Sequence, residues 1–104
     1  MYEFVETKLF TKHVTELLTD EDYAGLQALL CREPEIGDLI PGAGGLRRVR
    51  WGGSGRGKRG GVRVVYYVKT ARQTIWMLTI YAKNQRDNIP VNVLREIAKE
   101  IKDA

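Results

Sequence analysis

Two β-rich runs close together in the chain constrain its fold more than any other feature. Val62–Val68 is built from Val, Tyr and one Arg, and Thr74–Ala82 from Ile, Trp, Met, Leu, Thr and Tyr with one small residue at its end. Such residues suit a pleated surface. The turn through Lys69-Thr70-Ala71-Arg72 lets them pair as neighbours. Leu46–Trp51, alternating basic and apolar residues, supplies a further strand, and Tyr2–Val5 a short opening one. Between Gly42 and Gly61 lie nine of the 11 glycines, as expected for loops around a long hairpin tip.

The remaining segments read as helices. Leu9/Phe10, His13/Val14 and Leu17/Leu18 recur every four residues within Thr7–Leu18, which marks one helix face. Thr19 can cap a second helix whose first turn, Asp20-Glu21-Asp22, favours the positive end of the dipole. Tyr23, Leu26, Leu29 and Leu30 form its apolar stripe, and Pro34 and Gly37 end it. Pro90 suits the first turn of a last helix, with Val93/Leu94, Ile97 and Ile101 on one face. The order strand, helix, helix, three strands, helix predicts a single α+β domain over 1–104, with helices on one side of a mainly antiparallel sheet. A hydrophobic share of 43% is enough for one small core.

Charge narrows the function. From Leu39 to Arg86 there is no acid, yet the segment holds eleven of the 17 basic residues; the rest of the chain carries all 13 acids. A molecule polarised in this way attracts a polyanion, and nucleic acid is the default candidate. Membrane insertion is not expected, since no apolar run approaches the roughly 20 residues of a spanning helix. No signal-type segment opens the chain, and a lone cysteine, Cys31, fits a reducing compartment, so a soluble cytoplasmic protein is expected. Cys31 reads as a small apolar helix residue. One His and one Cys cannot make a zinc site. His13 reads as a helix-face residue without catalytic role.

Two phosphate-loop patterns are refused. Gly55–Gly60 matches G-x-G-x-x-G, and Gly52–Lys58 matches G-x-x-x-x-G-K. Both motifs need a following helix to hold phosphate at its N-terminus, whereas here a strand begins near Val62. Arg59 also occupies the position where a magnesium-binding Ser or Thr belongs. The plainer reading is a glycine-hinged basic finger bearing Arg56, Lys58 and Arg59.

Strand alternation sorts the side chains. Arg48 and Arg50 share a face. Arg63, Val65 and Tyr67 share one, as do Thr79, Tyr81 and Lys83. If Val68 pairs with Thr74, Arg63 falls opposite Thr79, and Arg63, Tyr81 and Lys83 converge on one side. The opposite side, with Val64, Tyr66, Val68, Trp76, Leu78 and Ile80, is the expected core face. A slip of one residue would separate the basic set. Trp51 and Trp76 are expected in the core.

The run Leu46-Arg47-Arg48-Val49-Arg50, the phrase Gly61-Val62-Arg63-Val64-Val65-Tyr66-Tyr67, and Ile80-Tyr81-Ala82-Lys83-Asn84 before a final helix resemble the RelE/ParE toxin superfamily. The Gly-Lys-Arg-Gly-Gly approach to Val62 and the Tyr-Ala-Lys-Asn ending are similar to its HigB branch. The order of elements agrees over nearly the whole chain. The resemblance implies a RelE-like α+β fold with two N-terminal helices and a C-terminal one. It also implies the toxin of a type II toxin–antitoxin pair, a ribosome-dependent endoribonuclease that cuts translated mRNA in the A site. Such enzymes use no metal or cofactor; the RNA 2′-hydroxyl attacks the adjacent phosphate. By position Arg63 matches the strand arginine that grips that phosphate, Arg48 and Arg50 the basic pair beside it, and Lys83 a basic residue near the leaving group. Tyr81 joins this catalytic set as a positioning or stacking residue. Arg47, Arg56, Lys58, Arg59 and Arg86 are the expected further RNA contacts.

The chemistry suits these residue types. Cleavage passes through a phosphorane of extra negative charge, and arginine offers it a permanently protonated planar fork. The sequence departs from some RelE-type members in having no tyrosine in its final helix, so the general base is unassigned. The implied partner is a helix-turn-helix antitoxin of HigA-like type, besides the ribosome and mRNA. Two alternatives stay open: a ParE-type inhibitor of DNA gyrase, and a non-catalytic nucleic-acid-binding module.

Overall fold

In the computed structural model, residues 1–52, 61–83, 85 and 88–101 are described. The elements are β1 (Glu3–Glu6), α1 (Lys8–Leu17), α2 (Asp20–Arg32), β2 (Asp38–Leu39), β3 (Arg47–Trp51), β4 (Val62–Lys69), β5 (Thr74–Ala82) and α3 (Val91–Ala98), with a single 3-10 turn at Thr70–Arg72. The five strands form one sheet in the order β1-β5-β4-β3-β2. β1 runs parallel to β5, and the other pairs are antiparallel. The architecture is the expected α+β one, with two helices before the main hairpin and one after it. β2 adds a two-residue strand too short to leave a period in the sequence.

Local chemistry fixes the helix ends. Thr7 accepts the Phe10 N–H at 3.1 Å and donates its hydroxyl to the Leu78 carbonyl at 2.6 Å. It thus caps α1 and ties it to β5 in a single buried residue. Thr19 caps α2 through the Asp22 N–H at 3.0 Å, beside three first-turn acids. The start of α1 has a second partner from far away in sequence: the Glu100 carboxylate accepts the Lys8 N–H at 3.1 and 3.3 Å.

The helices cover both faces of the sheet, which corrects the one-sided arrangement expected above. Phe10, Val14 and Leu18, with Leu26 and Leu30 of α2, pack on Val49, Val64, Tyr66, Ile75, Met77 and Ile80. On the other side Leu94 of α3, with Ile89 and Leu46, packs on Val65, Leu78 and Tyr81. Arg95 pins α3 to the loop before β3 by donating to the Gly42 carbonyl at 2.7 and 3.1 Å. Two small cores therefore flank the sheet, and β4 is buried on both sides.

A β-bulge accounts for the largest error in the face assignment. Val65 pairs with Thr79 but Tyr66 pairs with Met77, so Leu78 is an extra residue on β5. At the turn end Lys69 meets Thr74 and Val68 meets Ile75, one residue away from the expected pairing. Trp76 and Leu78 consequently belong to the α3 core, whereas Val64, Tyr66, Val68 and Ile80 lie in the expected core.

Candidate nucleic-acid interface

The basic set is placed by the register of three strands. Arg50 lies directly opposite Arg63, and Arg63 directly opposite Tyr81. Two residues along, Arg48 faces Val65, and Val65 faces Thr79. Cross-strand partners point to the same side, so Arg48, Arg50, Arg63 and Tyr81 share a face. Arg63 meets Tyr81 rather than the expected Thr79. The difference is two residues, which preserves the side. The bulge absorbs the odd step elsewhere.

Lys83 follows β5 in an exposed turn, with its N–H directed to the Gly61 carbonyl at 3.5 Å. It continues the alternation beyond Tyr81. Arg50 is exposed, and Arg48 and Arg63 are half-buried. This basic row occupies the α3 side of the sheet, so one face is divided between a core under α3 and a cationic end. Gly61 fits the backbone at that end. Its φ is +57°, and a Cβ there would stand 2.6 Å from the Trp51 carbonyl oxygen. A glycine is thus needed for β4 to approach β3 beside Arg63.

Arg50 and Arg63 place two guanidinium groups directly across one ladder, where a bridging phosphate could accept from both. Arg48 has a different setting. Its cross-strand neighbour on β2 is Asp38, one residue before the acid-free segment. Sequence reading missed this acid because β2 was not anticipated.

Other expected site residues are placed differently. Arg47 is turned to the opposite face, in register with Tyr66, and its guanidinium donates to the carbonyls of Gly37 at 2.8 Å and Glu35 at 3.2 Å. It braces the α2–β2 connection and lies on the face opposite the arginine row. Tyr81 is 6% exposed and packed among Ile89 and Leu94, so its ring is a core element and not a stacking platform. Its hydroxyl is buried without a hydrogen-bond partner among the described residues. Arg56, Lys58, Arg59 and Arg86 lie outside the described residues, as does the Gly55–Gly60 pattern.

Both tryptophans pack as expected against the cores, and Trp51 donates its indole N–H to the Asp22 carbonyl at 2.9 Å. His13 sits on α1 with its Nδ1 3.3 Å from Glu16, and Cys31 is half-buried.

No family model matches this chain. Among solved structures it is similar to a mutant of the E. coli toxin RelE in the free state, with a TM-score of 0.63 at 15% identity over 96% of this chain and 97% of that one. It is also similar to a chain of the intact E. coli RelBE toxin–antitoxin complex, with a TM-score of 0.62 at 14% identity over 79% of this chain and 96% of that one. The row of arginines described above is thus carried on a RelE-like fold.

Proposed function

We propose that this chain is the toxin of a type II toxin–antitoxin pair and acts as a ribosome-dependent endoribonuclease on translated mRNA. The observation that supports the reading most is the direct opposition of Arg50 and Arg63, on the face shared with Arg48 and continued by Lys83. Two arginines facing each other across a ladder suit a ligand of at least one negative charge. The RelE-like fold of the neighbours supports the same reading.

In the proposed reaction the 2′-hydroxyl gives its proton to water and attacks the adjacent phosphorus, and the bond to the 5′-oxygen of the next nucleotide breaks. A 2′,3′-cyclic phosphate and a 5′-hydroxyl end result. Arg50 and Arg63 hold the non-bridging oxygens, whose charge rises in the phosphorane. Arg48 steers the strand. Lys83 gives its proton to the departing 5′-oxygen. The partner is a helix-turn-helix antitoxin, and the Gly-Lys-Arg-Gly-Gly and Tyr-Ala-Lys-Asn phrases favour the HigB branch. The site of action is cytoplasmic.

Inducible expression followed by mapping of mRNA 5′ ends tests this. Cuts confined to translated frames are expected. Arg63→Ala should reduce the cleavage rate by about 10²–10³, the usual cost of one transition-state donor. Growth arrest with intact messages and DNA damage would replace this reading with gyrase inhibition. Folded protein that binds RNA without arresting growth would leave a binding module.

A further inference from the structure

Asp38 is the only carboxylate on the four strands β2–β5. Its side of the sheet is fixed twice over. It pairs with Arg48 across the ladder, and cross-strand partners point the same way. The Ile40 N–H then bonds the Leu46 carbonyl at 2.9 Å, which carries the ladder one pair further, and both of those side chains lie in the α3 core. Residues two apart share a face. Asp38 and Arg48 therefore stand on the α3 side, in the row next to Arg50 and Arg63. The two rows are two residues apart, about 7 Å along the strands, which is within reach of a neighbouring nucleotide.

Opposite charges across a ladder commonly join. Here the Asp38 carboxylate and the Arg48 guanidinium make no ion pair or side-chain hydrogen bond, with each other or elsewhere, among the described residues. Asp38 is exposed and Arg48 half-buried, at the open edge formed by β2. A carboxylate accepts at two oxygens and donates nothing, whereas a guanidinium donates in a planar fork and accepts nothing. Side by side they present an acceptor pair next to a donor pair. The sign of Asp38 decides what lies there. A carboxylate at the margin of a cationic row repels phosphate. A strand held at Arg50 and Arg63 by its backbone must therefore turn something else toward Asp38, and the base edge is the part of a nucleotide that carries N–H donors. Single-stranded RNA is read in this way, through Watson–Crick and Hoogsteen edges. Among the four bases only guanine offers two adjacent donors, N1–H and the N2 amino group, beside two adjacent acceptors, O6 and N7.

We propose that Asp38 and Arg48 form a guanine-reading subsite for the nucleotide next to the phosphate held by Arg50 and Arg63. The Asp38 carboxylate accepts from N1–H and the N2 amino group, and the Arg48 guanidinium donates to O6 and N7. Asp38 is thus a specificity-determining residue with no part in the chemical step. The inference deepens the nuclease reading and rests on it for RNA as the ligand.

The test measures binding of the full chain to four labelled oligouridylates that carry U, C, A or G at one central position, at fixed salt. The guanosine strand should bind about tenfold or more tightly than the other three, the discrimination expected of a good bidentate pair. Asp38→Asn keeps the size of the side chain and loses the two-acceptor edge, so it should abolish that advantage, as should Asp38→Ala. The position is exposed, and thermal unfolding checks that both variants fold. Arg48→Lys keeps the charge and loses the planar fork, and should also reduce the preference for guanosine. The proposal is overturned if wild type binds all four strands alike or prefers cytidine or adenosine. It is also overturned if Asp38→Asn tightens all four equally and leaves their ratio unchanged, since Asp38 would then act only through its charge. Mapping of mRNA 5′ ends reports on the nuclease reading separately. A guanosine preference that depends on Asp38, together with intact messages, keeps this subsite and removes the nuclease; cleavage without that preference does the reverse. Failure to bind any of the strands overturns both.

Discussion

Two buried tyrosines show how the same residue type can be satisfied or left waiting. The Tyr66 hydroxyl donates to the Pro34 carbonyl and accepts the Gly37 N–H, both at 2.8 Å, so one side chain fixes the connection from α2 to β2. Tyr66→Phe deletes both bonds and leaves two backbone groups unmatched. The expected loss is about 1–3 kcal/mol, read as a lower urea midpoint. Gly37→Ala attacks the same clamp sterically, since its Cβ would stand 2.8 Å from the tyrosine ring. Tyr81→Phe should do the opposite. Removing a hydroxyl that has no partner among the described residues is expected to stabilise the chain by about 1 kcal/mol, and a drop in stability would mean that the hydroxyl is bonded in solution. Burial raises the titration of Tyr66 and, more strongly, of Tyr23, where the Glu6 carboxylate that accepts its O–H at 2.7 Å adds to the effect. The folded state thus holds these protons more tightly than the unfolded chain. Stability is full below pH 10, the ordinary tyrosine value, and should fall as pH rises above it. Equilibrium unfolding followed from pH 8 to 12 should show a shallower decline in Tyr23→Phe; an identical slope would contradict the shift.

At the scale of elements the two helix caps make a controlled comparison. Thr19 sits exposed and bonds only within its own turn, so Thr19→Ala should cost about 1 kcal/mol. Thr7 is fully buried and also bonds across to β5. Thr7→Val should therefore cost more, about 2 kcal/mol, from the lost cap and the orphaned Leu78 carbonyl. Equal costs in urea unfolding would show that the bond to Leu78 contributes nothing. The sequence carried much of this level. Thr19 with its acids, Pro34 and Pro90 are local signals, and they put α2 and the start of α3 within a residue or two of their places, whereas α3 ends at Ala98, three residues before Ile101. The β5 run from Thr74 to Ala82 was legible because most of its residues are β-branched or aromatic and favour a pleat. What resisted was anything set by a partner. The bulge at Leu78 is a mismatch between two strands, and neither strand alone signals it. Arg47 looks like Arg48 and Arg50 in a list of cations, yet strand parity turns it to the other face and carbonyls hold it there. Asp38 was hidden for the related reason that a two-residue strand has no pattern. The arginine row survived because its members depend on parity near Arg63, where the expected and observed registers differ by two.

For the whole molecule, the decisive property is that charge is segregated more sharply than its total of +4 indicates. The basic segment contributes β3, β4, β5 and their connections, while the acids lie in α1, α2, α3 and the segments beside them. The central strands β3, β4 and β5 carry cations and no acid, while the described carboxylates lie on the helices, on the edge strands β1 and β2 and in the segments beside them. Under the proposed reading, such a field should make association with RNA fast and steeply dependent on salt. Each phosphate neutralised on a single strand should contribute about −0.7 to the slope of log K against log salt. Replacing one phosphate-contacting arginine should therefore flatten the slope by roughly that amount for any sequence. Arg50→Ala is the cleanest case, because Arg50 is exposed and makes a like-charge pair whose removal does not endanger the fold. Arg47→Ala is its control. That guanidinium is bonded to the Gly37 and Glu35 carbonyls, so its loss should lower stability and leave the salt slope unchanged. Fluorescence anisotropy with a short labelled RNA, repeated across a series of salt concentrations, separates the two. If Arg47→Ala flattened the slope as much as Arg50→Ala, RNA would be reading the net charge of the molecule, and the division of the sheet into a binding face and a braced face would be wrong.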